Sequence, residues 1–505
     1  MNYADLFRAT LPETALEIAA LLVVIVDLGL LRKAALKTRV AIAALLGVAG
    51  CAAAFWAVYV AGSAGLSAGD DLLLSAGGFT SVAQAGILVL TALTLLLLIG
   101  SVFTRHAGEY VAVVLMAAAG GLVVASAQDL LVIFVGLELL SLGLYILTAF
   151  AKSSGKSAEA AMKYYLFGGM SAAFLLFGFS YLYGISGSTN LHKILLASFY
   201  SSASGGAPLL YVALVMIAAG LGFKVAAVPF HLWAPDTYEG APAPAAAFIA
   251  SVSKVASFAL LISIGTASVH LLDGVHELRL VAIGPLPKYL GVWIPWSLIL
   301  TLLAAASMVL GNLAALAQIS VRRLLAYSAI AHAGYILLGL AFFSHSNASA
   351  NAILYYVLTY GLTTIGAFGV VSVVERATGS DKLDAFLGLH KRNPLLAAVL
   401  LVLFLSLAGI PPLVGFWAKF NLFAAVLGVS AGAVPFGLVA LALALSAVSL
   451  YYYLQVLKRA YVMQAVDESP IKAHPVTMAV LVAIAAAVVA LGCFPALLQG
   501  WIASF

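Results

Sequence analysis

The chain of 505 residues is 64% hydrophobic and only 9% charged, against about 25% charged residues in soluble domains, so it has too few polar side chains to cover a water-facing surface. The formal charge of +5 is modest, and the basic residues do not interleave with aromatics in a water-facing patch, which speaks against a nucleic-acid partner. Cys51 and Cys493 stand alone in apolar runs, without the neighbouring thiolates or imidazoles that iron–sulfur and zinc sites need, and no glycine-rich nucleotide fingerprint follows a strand.

About 20 apolar residues in a helix cross about 30 Å of hydrocarbon, and windows of that kind recur along the whole chain. Met1 to Leu16 lacks a basic n-region and a small-residue cleavage site, so targeting is expected from the membrane helices themselves. The first spans fall near 13–31, 40–61 and 82–103, with an outer loop from Gly62 to Gly78 that carries Asp70 and Asp71. Five more follow near 109–127, 129–151, 161–185, 208–232 and 241–267. A Ser/Gly-rich stretch around 186–207 interrupts them, and Asn190 to Phe199 within it has the spacing of a helix lying along the interface. Residues 268–290 read as irregular. The remaining spans fall near 292–316, 323–344, 349–373, 394–426, 433–457 and 475–499. The 394–426 segment is too long for one straight span and contains Pro411-Pro412, so it reads as a broken helix. The prediction is an all-α polytopic membrane protein of about fourteen transmembrane helices.

Loop charges orient it. An even number of spans puts both termini on one side. Of the 24 Lys and Arg, seventeen fall in loops on the other side and four (Arg8, Lys193, Arg279 and Lys288) on the terminal side. Positive charge gathers on the cytoplasmic face, so both termini are expected on the non-cytoplasmic side.

The last three cations, Lys224, Lys254 and Lys419, lie inside spans, as does Glu138, which sits near the middle of LLVIFVGLELLSLGLYIL. A charge at the bilayer centre costs at least about 2.5–3.5 kcal/mol on insertion scales. A structural ion pair could justify one such lysine, but three lysines against one buried acid fit a proton relay better, because a buried lysine loses its proton readily. Helix breakers accompany them: Gly222 and Pro229 bracket Lys224, and Pro411-Pro412 and Gly415 precede Lys419. Interrupted helices in corresponding places of two halves point to inverted repeats with ion sites at the breaks; packing kinks are the plainer alternative. His332, near mid-span, titrates near neutral pH and reads either as a relay or as a satisfied core histidine. His231, just past Pro229, reads as a relay or as a partner of the loose helix end. Lys163 reads as an interfacial anchor or a proton-uptake residue. Arg322, Arg323, Asp236 and Glu239 read as solvated flanks, and the many tyrosines as packing and interface belts.

Together, GLELLSLGLYIL with Glu138, GFKVAAVPFHLWAPDTYEGAP with Lys224 and His231, SVSKVASF with Lys254, RRLLAYSAIAHAGY with His332 and LAGIPPLVGFWAKF with Lys419 resemble the antiporter-like membrane subunits of proton-pumping NADH:quinone oxidoreductase (complex I). The likeness covers about residues 105–460. It implies two inverted five-helix repeats, at 109–267 and 292–457, each with a broken helix, between amino-terminal helices at 1–108 and a carboxy-terminal part at 458–505, all in one membrane domain. It further implies that Glu138 pairs with Lys224, that Lys254 is the central relay, and that Lys419 is the terminal donor toward the outside. Lysine at 419, where subunit M typically carries glutamate, and the lack of a long lateral helix like that of subunit L favour the subunit N branch.

On this reading the chain is a proton-translocating subunit in a bacterial inner (plasma) membrane. FMN, iron–sulfur clusters and quinone would sit in partner subunits, and its membrane neighbours would be subunits of M, K, J, A, H and L type. The alternatives are a subunit of a multisubunit cation/proton antiporter or of a membrane-bound hydrogenase, and a static assembly subunit with vestigial lysines.

Overall fold

The computed structural model describes residues 7–63, 73–101, 103–203, 207–281, 293–343, 347–429, 432–465 and 468–504; the loop acids Asp70 and Asp71 lie outside them. Three helices lead: α1 (Leu11–Ile25, continued by a π-helical turn over Val26–Leu30), α2 (Leu36–Ser63) and α3 (Gly78–Leu98). A first set of spans follows, in α4 (Ala107–Ser126), α5 (Leu130–Thr148), α6 (Gly155–Ser186), the short α7 (Leu191–Ala203), α8 (Ala207–Val225), the charged α9 (Trp233–Gly240) and α10 (Ala243–Val281). The second set is α11 (Trp293–Leu316), α12 (Val321–Ala341), α13 (Asn347–Thr378), the two pieces α14 (Pro394–Ala408) and α15 (Val414–Val429), and α16 (Ala433–Tyr461). Helices α17 (Pro475–Cys493) and α18 (Pro495–Ala503) close the chain. Each of the fourteen expected windows holds a helix or, for 394–426, the two halves of one. α7 occupies the segment expected to lie along the interface.

One expectation is corrected. The stretch from 268 reads as irregular in the sequence, yet α10 runs on to Val281; residues 282–292 lie outside the described ones. His270, Asp273, His276 and Glu277 end the apolar run, but hydropathy measures the ability to cross a membrane, not to form a helix. Leu271, Leu272, Glu277, Leu278, Arg279 and Leu280 are good helix formers and keep helix propensity high enough to continue.

Burial sorts the helices. In α10, α12 and α13, 94% of the most apolar window is buried, against 28% in α16. α5 shows lipid-type exposure along one stripe, with Leu131, Val135, Leu142 and Ile146 outward, as an amphipathic pattern inverted for hydrocarbon requires. Helices close up through small residues. A Cβ on Gly120 of α4 would meet the backbone nitrogen of Leu140 on α5, and one on Gly334 of α12 would meet that of Met308 on α11.

The two sets share a local signature. At the start of α5, Asp129 caps the backbone nitrogen of Leu131 (2.9 Å) and accepts from the Thr189 hydroxyl (2.6 Å), while Leu130 N donates to Thr189 O (2.8 Å). At the start of α12, Ser320 caps Arg323 N (3.2 Å), donates its hydroxyl to the Asp381 carboxylate, and Val321 N donates to Asp381 O (2.9 Å). Both partner segments follow the third helix of their set and open with a left-handed glycine, Gly187 (φ 68°) and Gly379 (φ 71°). They read Gly-Ser-Thr-Asn and Gly-Ser-Asp-Lys. Because each set has five spans, an odd number, the second enters the membrane from the side opposite to the first. The repeats are therefore inverted, and the two caps lie at opposite faces.

Candidate proton-relay site

The first break begins where α8 stops. Ala226 takes a left-handed backbone (φ 59°), which L-residues with a Cβ adopt reluctantly, and Pro229 then forbids helical continuation. The loosened backbone is held from outside: Val228 N donates to the Ser307 hydroxyl of α11 (2.8 Å), and Trp233 Nε1 donates to Phe223 O (3.0 Å). Lys224, in the last turn of α8, is buried. Its Nζ lies 3.4 Å from Glu138 Oε1 and donates to Ser141 Oγ at 2.6 Å. Glu138 and Ser141 share one face of α5 because residues three apart do. Glu138 keeps 26% side-chain exposure, against 6% for Lys224.

A helix that stops leaves its last carbonyls without partners, and the helix dipole makes that end negative. Lys254, from α10, uses this: its Nζ donates to Val225 O at the end of α8 (3.3 Å) and to Ala329 O of α12 (2.6 Å). The second break repeats the device. α14 ends at Gly409, left-handed at φ 88°, and Lys419 of α15 folds back so that its Nζ donates to Leu407 O (3.2 Å) and Ala408 O (2.9 Å), and to Ser446 Oγ (2.7 Å). Among the described residues neither Lys254 nor Lys419 has a carboxylate partner within salt-bridge distance.

Aromatic rings join these ammonium groups. Tyr360 of α13 lies beneath Lys254 Nζ (5.9 Å to the ring centre) and 4.8 Å from the His332 ring centre. His332 Nδ1 is 2.8 Å from the Tyr356 hydroxyl, and Nε2 is 3.5 Å from that of Tyr453, which also bonds Ser328. Tyr335, edge-on to His332 at 5.8 Å, lies beneath Lys419 Nζ at 5.5 Å. The order in space is Glu138, Lys224, Lys254, His332, Lys419, with Val225 O, Tyr360 and Tyr335 between. A cation over an aromatic face is attracted by the ring quadrupole, so the tyrosines stabilise the charged lysines as well as bridging them.

Two further candidates lie apart from this line. Lys163, on α6, pairs with Glu159 (2.7 Å) and Asp236 (2.8 Å) and is 41% exposed. His231 is buried beside the first break, and its Nδ1 has no hydrogen-bond partner among the described residues. The flanking charges are not simply solvated. Arg323 reaches Asp236 (2.6 Å) and Glu239 (3.1 Å). Arg322 is buried, donating to Tyr238 O (2.9 Å), to Ala241 O and to Glu375 (3.2 Å). Loop position alone suggested solvent, but α9 folds back under the bundle and presents carbonyls and carboxylates to them. Burial pushes the Asp236 carboxyl up, and the hydrogen bonds from Lys163 and Arg323 outweigh it, holding the group below the usual carboxylate range.

The sequence reading passed over Ser141, Tyr335, Tyr356, Tyr360, Ser446 and Tyr453. Two signals were present. Tyr356 and Tyr360 are spaced to share a helix face, and Ser446 stands in α16 where Lys254 stands in α10 when the two cap glycines, Gly187 and Gly379, are brought into register.

Residues 127–284 and 280–446 each match the profile of a family described as "NADH:quinone oxidoreductase/Mrp antiporter, TM", one match for each repeat. NADH-quinone oxidoreductase subunit N 2 of Acidobacterium capsulatum is 48% identical, over 99% of this chain and 99% of that protein. A chain of respiratory complex I from Thermus thermophilus is 34% identical with a TM-score of 0.76, covering 97% of this chain and 98% of that one. A chain of the Mrp complex from Dietzia sp. shares the fold, with a TM-score of 0.76 over 100% of this chain and 97% of that one, at 21% identity.

Proposed function

This chain belongs to the subunit N family of NADH-quinone oxidoreductases, and we infer from that premise that Glu138, Lys224, Lys254, His332 and Lys419 carry protons through it, with Lys163 and His231 as accessory groups. It is a proton-translocating, multi-pass membrane subunit of that enzyme. The observation that carries the site assignment is the pairing of two buried ammonium groups, Lys254 and Lys419, with helix-end carbonyls instead of carboxylates. Carbonyls and hydroxyls accept from a charged lysine, yet they do not pin it as a salt bridge would, so the lysine can give its proton up. His332 lies between the two and can accept and donate through different ring nitrogens.

Glu138 and Lys224 supply the switch. At 3.4 Å and an effective dielectric of about 20, each stabilises the other's charge by a few kcal/mol, and about 1.4 kcal/mol corresponds to one pKa unit. Opening the pair therefore releases a proton from Lys224 toward Lys254, whose Nζ rests on the carbonyl of the very next residue, Val225.

The rest of the reading follows the family. The repeats span 109–267 and 292–457, the membrane is the bacterial inner (plasma) membrane, and both termini face away from the cytoplasm, as the basic loops require. FMN, iron–sulfur clusters and quinone belong to partner subunits, and the neighbours in the bilayer are subunits of M, K, J, A, H and L type. The experiment is proton pumping by the intact enzyme in closed membrane vesicles. Lys254→Gln should abolish it with the complex still assembled; pumping at the wild-type rate would remove the relay.

A further inference from the structure

Asn312 is a fully buried amide on α11, and nothing in the relay described above uses it. Buried polar atoms need partners, and those of this amide all have one. Nδ2 donates to Met308 O, one turn back on the same helix (2.7 Å), and to the Tyr335 hydroxyl of α12 (3.1 Å). Oδ1 accepts from the Tyr452 hydroxyl of α16 (3.2 Å). One side chain thus ties three helices of the second repeat together.

The direction of each bond is forced. A backbone carbonyl only accepts, so the atom facing Met308 O is the amide nitrogen and the atom facing Tyr452 is the amide oxygen. Tyr452 must then donate, and Tyr335 must accept. The bond to Tyr335 therefore persists whatever that phenol does with its own proton.

Tyr335 is the ring that Lys419 and His332 share. Lys419 Nζ lies 5.5 Å from the ring centre, and His332 stands edge-on at 5.8 Å. The titratable groups around Lys419 are these two, both on α12, and the α14 carbonyls and Ser446 of α16 complete its surroundings. A ring beneath an ammonium is attracted by the charge. That attraction vanishes each time Lys419 gives its proton up, so a ring that must stay in place needs a tether indifferent to the lysine's charge. The Asn312 amide is neutral in both states and holds the phenol from its far end.

The fold alone does not require such an amide. α4 opens the first repeat as α11 opens the second, and it closes directly against α5 at Gly120 with neither Asn nor Gln along its length. The amide accompanies Lys419, not the packing of the first two helices of a repeat.

We propose that Asn312 is a positioning residue for proton transfer between His332 and Lys419, holding the Tyr335 phenol beneath the lysine whether or not the lysine is charged. Asn312 gives up no proton itself; it acts through Tyr335.

The proposal rests on the relay reading above, and its test separates the two. Asn312→Leu keeps the size of the side chain and removes the amide. Tyr335→Phe keeps the ring and removes the oxygen that accepts from it. In the assembled enzyme in closed vesicles, pumping should fall about tenfold in each, the rate equivalent of one hydrogen bond. The double variant should fall no further, because both changes remove the same bond. The ratio of variant to wild-type pumping should also rise as pH is lowered, since protonation shortens the time that Lys419 spends neutral. A structural brace gives a ratio that does not move with pH, and that result overturns the proposal, as do additive losses in the double variant. Tyr335→Phe pumping at the wild-type rate overturns it too, even where Asn312→Leu fails to assemble. With Lys254→Gln as the reference, dead Lys254→Gln beside fully active Tyr335→Phe overturns the positioning role alone. Active Lys254→Gln overturns the relay itself.

Discussion

The two broken helices solve one problem in different ways. Each leaves a negative helix end inside the helix bundle, and each brings a lysine ammonium to it. In the first repeat that lysine is Lys254, donated by the following helix α10, while Lys224 on the broken helix turns to Glu138. In the second repeat the broken helix neutralises its own end: Lys419 of α15 folds onto Leu407 O and Ala408 O of α14, and Ser446 of α16 stands where Lys254 stands in α10. Thus, among the described residues, the first break gathers two lysines and an acid, and the second one lysine with no carboxylate within salt-bridge distance. The first meets its cation with a carboxylate; the second meets it with carbonyls and a hydroxyl.

The sharpest way to test that difference is to remove the lone cation of the second half. Lys419→Gln leaves the end of α14 with no charge partner, and no second lysine on its break can substitute. Pumping by vesicles should fall at least about a hundredfold, with assembly intact. Retention of half the activity would mean that the second break is scaffolding.

A smaller effect is expected at the turns themselves, where the two breaks have made opposite choices of residue. Gly409, at φ 88°, has no Cβ, and one added there would come 3.0 Å from Lys419 Cδ and 3.2 Å from its Nζ. Ala226 carries a Cβ at φ 59° in the first break. A left-handed L-residue costs roughly 1–2 kcal/mol. Gly409→Ala should therefore lower the thermal midpoint of the purified complex and displace Lys419, whereas Ala226→Gly should leave the midpoint unchanged or raise it slightly. Equal effects of the two substitutions would show that the turns are not strained differently.

The smallest effect concerns the clasp on the face of the basic loops, where Asp236 holds Lys163 and Arg323. Its carboxyl titrates below the ordinary value of about 3.9. A depressed folded value means that the clasp contributes fully above that ordinary value and is lost as pH falls through the folded one. Asp236→Asn should lower stability by about 0.5–1 kcal/mol at pH 7, and the gap from wild type should narrow as pH falls below the ordinary carboxylate range. A gap that stays constant with pH would assign the loss to packing.

Much of this was legible in the sequence, because a bilayer imposes its length on every helix and its cost on every charge. Three lysines and a glutamate within apolar runs cannot be incidental, and Pro229 and Pro411-Pro412 mark where the helices fail. What stayed hidden depends on which faces meet. Tyr335, Tyr356 and Tyr360 look like any aromatic in a membrane helix until His332 is placed among them. Arg322 looks like a loop cation until α9 turns its carbonyls toward it. The extension of α10 to Val281 escaped notice because charge ends an apolar window without ending a helix.

A relay requires that the buried lysines lose their protons and not merely be positive, and Lys224 tests this most directly, since of Lys224, Lys254 and Lys419 it alone has an acid partner among the described residues, one that would accept either cation. Arginine keeps the charge and cannot deprotonate. Proton flux per NADH oxidised should be measured in closed vesicles for Lys224→Arg and Lys224→Ala side by side. The switch described here predicts that the two are impaired almost equally. Near-normal flux in Lys224→Arg beside a dead Lys224→Ala would contradict it and leave Glu138–Lys224 as a structural ion pair.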